Sequence, residues 1–383
     1  MVAQPAASSP VDFFDLTTPQ WDEYVTAWGW PKFRAQQVRD WVYHKGVRDP
    51  HAFTTLSKID RERLAGNVSF GHASIAAHQV SDDGTQKLLL TWPNGSQAET
   101  VMIPDGNRRT ACVSSQVGCP VGCTFCASGL EGVKGNLTAG QIVEQVMTLN
   151  AKLATLPPDP GARVTPDGTR IRPQTHTPQG PPRITNVVFM GMGEPMANYA
   201  NVFRAIQILH DTKCLNIGAR RITVSTVGVP KKIRDMAHES LPLGLAISLH
   251  APNEPLRKQL IPWAEHFSME EILDASRYYF EQTGREITFE YILLAGVNDR
   301  VEHAQELARI CKTIRANVNL IRYNEVASLP HKRPTSESVM AFQDTLRRAG
   351  VVAHVRKSRG RDIAAACGQL KRQEKEKLVQ IGA

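Results

Sequence analysis

Ile184-Thr185-Asn186-Val187-Val188-Phe189-Met190-Gly191-Met192-Gly193-Glu194-Pro195 decides how the chain folds. Its first half is crowded with β-branched and aromatic residues, the composition of a buried strand, and Gly191 and Gly193 then free the backbone. Flexible backbone and a carboxylate just past a strand's C-terminal end are what α/β barrels use to build their sites. The pattern recurs downstream. Strand-like runs at 222–226, 243–249, 287–293, 318–323 and 351–355 alternate with helical periodicity, which predicts parallel strands joined by crossover helices. The expected fold class is therefore α/β, a partial (β/α)6 barrel of about six strands.

Some helix boundaries are legible as well. Thr138 with Gln141 and Ser268 with Glu271 make capping-box pairs, and Gly350 closes a helix that begins near Thr335 or Ser336. Residues 1–70 read as a helical module: Pro31 starts a helix in which Phe33, Val38, Trp41 and Val42 recur at helical spacing between Lys32, Arg34, Arg39 and Lys45. Those basic residues either face water or contact nucleic acid, and the pattern supports both readings equally. Residues 71–104 read as a β-hairpin connector, punctuated by Asp82-Asp83-Gly84 and Pro93-Asn94-Gly95. The core domain is expected over 105–371. Within it, 153–183 hold 8 of the 24 prolines and read as an irregular insertion without chemistry, while 372–383 read as a charged tail.

The 383 residues carry 45 Lys and Arg against 37 Asp and Glu, a net charge of +8. With 42% hydrophobic and 21% charged residues the composition is globular, which excludes disordered and fibrous classes. No window approaches the ~20 apolar residues of a membrane span, and Met1-Val2-Ala3-Gln4-Pro5 lacks a secretory n-region. A cytoplasmic protein without membrane contact is expected. The positive excess favours a polyanionic partner but is too mild to decide one. Seven cysteines, an odd number, argue for metal or thiol chemistry over a disulfide framework.

Cys119-x3-Cys123-x2-Cys126 sets three thiolates within eight residues, and Gly118, Gly122 and Gly129 let the backbone wrap a bulky centre. Tetrahedral zinc and ferredoxin-type clusters both want four ligands. An iron–sulfur cluster held by three leaves one iron open to a small molecule, as catalysis at a metal requires. The alternative is a structural zinc site completed by a distant Cys or His.

That loop resembles the one with which the radical S-adenosylmethionine superfamily holds a [4Fe-4S] cluster. Further blocks narrow the resemblance: Cys112-Val113-Ser114-Ser115-Gln116-Val117-Gly118-Cys119-Pro120, Asn136-Leu137-Thr138, Gly191-Met192-Gly193-Glu194-Pro195, Ser248-Leu249-His250-Ala251 and Ala365-Ala366-Cys367-Gly368-Gln369-Leu370. Together, over about residues 13 to 371, they are similar to the RlmN-type RNA adenine carbon-2 methyltransferases. The resemblance implies a radical SAM barrel whose helical N-terminal module binds RNA, and methylation of adenine carbon 2 in 23S rRNA and in tRNA. It places Cys119, Cys123 and Cys126 on the cluster, and Gly193, Glu194, Ser225, Ser248, Leu249, His250 and Asn324 against S-adenosylmethionine. It makes Cys367 the methyl-carrying thiol and Cys112 the thiol that resolves a covalent enzyme–RNA adduct, pairing with Cys367 in a disulfide bond. Glu99 becomes an acid/base or base-holding carboxylate. A reducing partner of flavodoxin or ferredoxin type and a monomeric enzyme are also implied.

The chemistry agrees with that assignment. Carbon 2 of adenine is electron-poor, so a nucleophilic carbon radical suits it where a methyl cation does not. Arg356-Lys357-Ser358-Arg359-Gly360-Arg361, with Arg322, His331, Lys332 and Arg333, offers phosphates a basic grip close in sequence to Cys367. The target base has to be unstacked to enter a pocket. Cys214 and Cys311, in helical stretches without motifs, read as buried small hydrophobes. Two rivals stay open: a Cfr-type carbon-8 methyltransferase with the same cysteines, which the helical N-terminal module disfavours, and a non-catalytic RNA-binding protein with a structural metal site.

Overall fold

A computed structural model describes residues 10–155 and 182–371. The 372–383 tail and all but the ends of the 153–183 stretch lie outside the described residues. Near the N-terminus, β1 (Val11–Asp12) and β2 (Val68–Ser69) pair in parallel and bracket the helices α1 (Thr18–Thr26), α2 (Lys32–Arg39) and α3 (Lys58–Asn67). Pro31 is the N-cap of α2, where a proline's missing N–H sacrifices no helical bond. One expectation for this helix fails. Phe33 is 57% exposed, and the inward face is Ala35, Val38 and Val42, because the helical stripe runs through those positions instead.

Residues 74–112 form four antiparallel strands, β3 (Ser74–Val80), β4 (Gln86–Thr91), β5 (Gln97–Asp105) and β6 (Arg108–Cys112). Gly84 and Gly95 take positive φ at the two expected turns, a conformation that costs glycine little. The separate hairpin connector is therefore corrected: the segment is one wing of the main sheet. Next, β7 (Gln116–Gly118) and β8 (Val133–Asn136) make a small antiparallel pair that brackets the cysteine loop.

The remaining strands are β9 (Asn186–Phe189), β10 (Ile222–Thr226), β11 (Gly244–Ser248), β12 (Ile287–Leu293), β13 (Ala316–Arg322) and β14 (Ala353–Arg356). They match the six expected runs, and each pairs in parallel with its neighbour. Because β6 also pairs in parallel with β9, the parallel part has seven strands. The short β6, polar at its start, carries no apolar run that announces a strand in the sequence. The single ten-stranded sheet runs β14-β13-β12-β11-β10-β9-β6-β5-β4-β3 and is open, with β14 and β3 at its edges.

Helices cross between the parallel strands: α4 (Ala139–Ala154), α5 (Tyr199–His210), α6 (Pro230–Ala237), α7 (Glu254–Leu260), α8 (Met269–Thr283), α9 (Val301–Thr313) and α10 (Ser336–Arg348). Both capping boxes form, at the starts of α4 and α8, each worth about 1 kcal/mol. The N-terminal helices share one apolar core with the sheet, in which Phe13, Trp21, Tyr43 and Phe53 are continuous with Ile142 and Val146 of α4. Polar contacts fix the docking: Arg48 Nη1 donates to Glu144 at 3.1 Å, and the Gly140 N–H donates to Asp15 at 2.5 Å. Among the described residues no helix is long and apolar enough to cross a membrane.

Candidate active site

The C-terminal ends of β9 through β14 and the Cys119–Cys126 loop line one open cleft. Successive strands each contribute near their ends: Ser225 from β10, Ser248 from β11, Glu290 and Ile292 from β12, Ile321 from β13, and Arg356 from β14.

All three loop cysteines face this cleft. Burial raises their thiols, that of Cys119 to about 12, so they resist ionising unless a metal takes them. Backbone N–H groups already point at the sulfurs: Val121 and Gly193 toward Cys119, Ser128 and Gly129 toward Cys126. Hydrogen bonds to sulfur are one of the means by which proteins tune iron–sulfur centres. Among the described residues no three His, Cys, Asp or Glu side chains close on a single ion position. A cage of irons and sulfides needs ligands around a cavity and not around a point. Three thiols facing one cleft are a donor set that fits an iron–sulfur cluster with one position left open.

Five of the seven residues expected against S-adenosylmethionine line the same cleft: Gly193, Glu194, Ser225, Ser248 and His250. Gly193 has φ +102°, and a Cβ there would stand 2.7 Å from Gln116 Cβ and 2.8 Å from Ser115 Oγ, so this turn has no room for a side chain. Ser115 Oγ itself is buried without a hydrogen-bond partner. Glu194 is clamped by N–H donors from Met196 and Val227, each at 2.9 Å. Burial nevertheless lifts its carboxyl to about 6. Ser225 and Ser248 hydroxyls meet at 3.4 Å.

His250 holds a left-handed backbone (φ +59°), and its Nδ1 accepts the Ile292 N–H at 3.0 Å. Burial pushes its pKa down to about 3, so the ring is neutral with its proton on Nε2. The other two expected contacts lie elsewhere. Leu249 is fully buried with its N–H committed to Ile247 and Glu290 carbonyls. Asn324 lines an adjoining cavity and donates to the Cys367 carbonyl at 3.3 Å.

That adjoining cavity brings Cys112 and Cys367 together. Cys112 ends β6, and Cys367 lies in a loop past β14 that also reaches the main cleft. Burial, and then the neighbouring Cys367, raise the Cys112 thiol to about 12. All seven cysteines are free, so the disulfide expected between Cys112 and Cys367 is not supported. Cys311 is buried on α9 as expected, but Cys214 sits in the turn after α5, where its Sγ meets Thr18 Oγ1 at 3.6 Å.

Arg356 corrects the expected phosphate-gripping loop. Its guanidinium turns inward, lines both cavities, pairs with Glu290 at 3.3 Å and stays firmly protonated, chiefly through Cys367. Exposed Lys357 and half-buried Arg359 rim the second cavity. Glu99 lines neither cavity. Its carboxylate is buried in an ion pair with Lys87 at 3.1 Å and accepts the Lys371 N–H at 2.9 Å, which ties the Cys367 segment to the sheet. Sequence reasoning also missed Ser115, Glu290 and Arg257; an arginine between Leu256 and Leu260 on an apolar helical stripe was the readable signal for the last.

Residues 11–69 match the family model described as the ribosomal RNA large subunit methyltransferase N-terminal domain. A probable dual-specificity RNA methyltransferase RlmN from Thermosynechococcus vestitus is 43% identical, covering 91% of this chain and 94% of that protein. The dual-specificity RNA methyltransferase RlmN of Nitratidesulfovibrio vulgaris is 40% identical, with 95% of each covered. The crystal structure of a radical SAM methyltransferase from Sphaerobacter thermophilus superposes with a TM-score of 0.85 at 40% identity, over 94% of this chain and 99% of that one. With such similarity along nearly its whole length, the chain belongs to the RlmN family of dual-specificity radical SAM RNA methyltransferases.

Proposed function

We propose that this chain methylates carbon 2 of adenine in 23S rRNA and tRNA through a methylated Cys367, a covalent protein–RNA adduct and resolution by Cys112. The seven parallel strands read as a partial barrel around the cleft, in a monomeric, cytoplasmic enzyme supplied with electrons by a small reducing protein. One observation carries the reading: Cys112 and Cys367, remote in sequence, share a cavity that adjoins the cleft of the three-cysteine loop.

Cys119, Cys123 and Cys126 would hold a [4Fe-4S] cluster, and Gly193, Glu194, Ser225, Ser248 and His250 would surround S-adenosylmethionine. Bound together, these groups supply a transferable methyl and, on one-electron reduction, a source of carbon radicals. The chain does the rest. Cys367 reaches both cavities, so its sulfur can take a methyl on one side and present it to a base on the other. Arg356 stands beside it, lining both cavities with Cys367. Glu290 orients that guanidinium, and Asn319 Nδ2 in turn holds Glu290 at 2.9 Å. Cys112 then displaces product by attacking the Cys367 sulfur, closing a disulfide with it. Its raised thiol makes proton removal the demanding part of that step. Glu99 acts through position, holding the Cys367 segment against the sheet.

Nucleoside mass spectrometry of RNA treated with reconstituted protein, S-adenosylmethionine and reductant tests the proposal. It should show 2-methyladenosine; 8-methyladenosine would assign the carbon-8 reaction instead, and no methyladenosine would leave only a binder.

A further inference from the structure

Three cations with accessibility near zero deserve comparison, because burying a charge is tolerated only where a counter-charge meets it. Arg39 has Asp22 at 2.5 Å, and Lys87 has Glu99 at 3.1 Å. Arg257, on α7, is 0% exposed and forms no salt bridge among the described residues. Its Nη2 donates to the Val227 carbonyl, while Nε and Nη1 have no hydrogen-bond partner among the described residues.

The charged and titratable groups around Arg257 are few. Glu254 attracts it, but that carboxylate is already committed to the Met269 N–H at 2.6 Å and to Lys258 at 3.9 Å. His250 is neutral. The cysteine loop packs on the same helix: the N–H of Thr124, the residue after Cys123, donates to the Leu260 carbonyl at 3.0 Å, and Cys123 and Leu256 pack against one buried apolar cluster. That leaves Cys123 as the other group of opposite charge when ionised. A cluster bound by three thiolates is anionic and gains one more negative charge on reduction. Net charge and hydrogen bonds to sulfur are what set such potentials.

We propose that Arg257 is the counter-ion of the iron–sulfur cluster: its buried guanidinium balances the charge gathered at Cys123 and raises the cluster's reduction potential. The inference rests on the cluster reading of Cys119, Cys123 and Cys126. It also couples two parts of the site through one residue, since Val227 accepts from Arg257 and donates its N–H to Glu194.

The test is anaerobic reconstitution of wild type, Arg257→Met and Arg257→Lys with iron and sulfide. A potentiometric titration follows, read by electron paramagnetic resonance without S-adenosylmethionine or RNA. Losing the cation should cut the reduced-to-oxidised ratio at fixed poise at least tenfold in the Met variant, a midpoint more negative by 59 mV for one electron. The Lys variant should stay nearer wild type. An unchanged midpoint in a loaded Met variant overturns the proposal.

Thermal melts of iron-free and loaded protein keep the test decisive if the Met variant loads poorly. Without iron it should match or exceed wild type, having shed an uncompensated charge, and with iron it should fall below. Equal loss in both states marks a structural strut and overturns the proposal. Wild type that binds no iron removes the cluster reading itself, and this inference with it, whatever the variants do.

Discussion

The backbone N–H of Ala127 donates to the Gly368 carbonyl at 2.8 Å, which fastens the residue after the last loop cysteine to the residue after Cys367. Ser128 Oγ adds a buried bond to the Leu370 carbonyl at 2.6 Å. The proposed cluster loop and the proposed methyl-carrying thiol are thus held in fixed relation by one main-chain and one side-chain contact.

Cys112→Ala should trap RNA on the protein. With no thiol to attack the Cys367 sulfur, the adduct persists; a denaturing gel followed by peptide mass spectrometry should locate an adenine on Cys367. Cys367→Ala should give no adduct and no product.

Gly193→Ala should abolish S-adenosylmethionine binding, with affinity falling at least tenfold in equilibrium dialysis of iron-loaded protein. The added methyl meets Gln116 and Ser115 at 2.7–2.8 Å in a backbone conformation that alanine avoids.

Glu99→Gln should leave the buried Lys87 ammonium without its counter-charge and cost about 3 kcal/mol of stability. Because Glu99 also takes the Lys371 N–H, hydrogen exchange should quicken first across residues 364–371.

Burial raises the Asp12 carboxyl from 3.8 to about 6. The folded chain then keeps a proton that the unfolded chain has released, so stability falls as pH rises from about 4 to about 6 and levels off above. The change is bounded at about 3 kcal/mol for two pH units. Asp12→Asn, which still accepts the Phe14 N–H, should flatten that slope in denaturation curves measured across the window.

The six downstream strands were legible because each is a buried apolar run bounded by turn or capping residues, signals that act over a few positions. Thr138 and Ser268 announced their helices for the same reason. β6 escaped notice because its five residues open on Arg108, Arg109 and Thr110 and show no apolar run. The cysteine loop was legible because its ligands are close neighbours along the chain, and the motifs around it supplied the family.

By itself, then, the sequence indicated the alternation of the downstream strands and helices and the close spacing of the three loop cysteines, matters of local spacing, while family resemblance supplied the roles proposed for Cys112 and Cys367. The tertiary structure alone decided that Cys112 and Cys367 line one cavity, that Arg356 turns inward to them while Lys357 and Arg359 stay at the rim, that Glu99 braces a segment outside the cleft, and that Arg257 is buried on the helix that carries the cysteine loop. Those relationships join residues far apart along the chain, and their charges and burial exist only once strand order and crossover direction have placed them side by side.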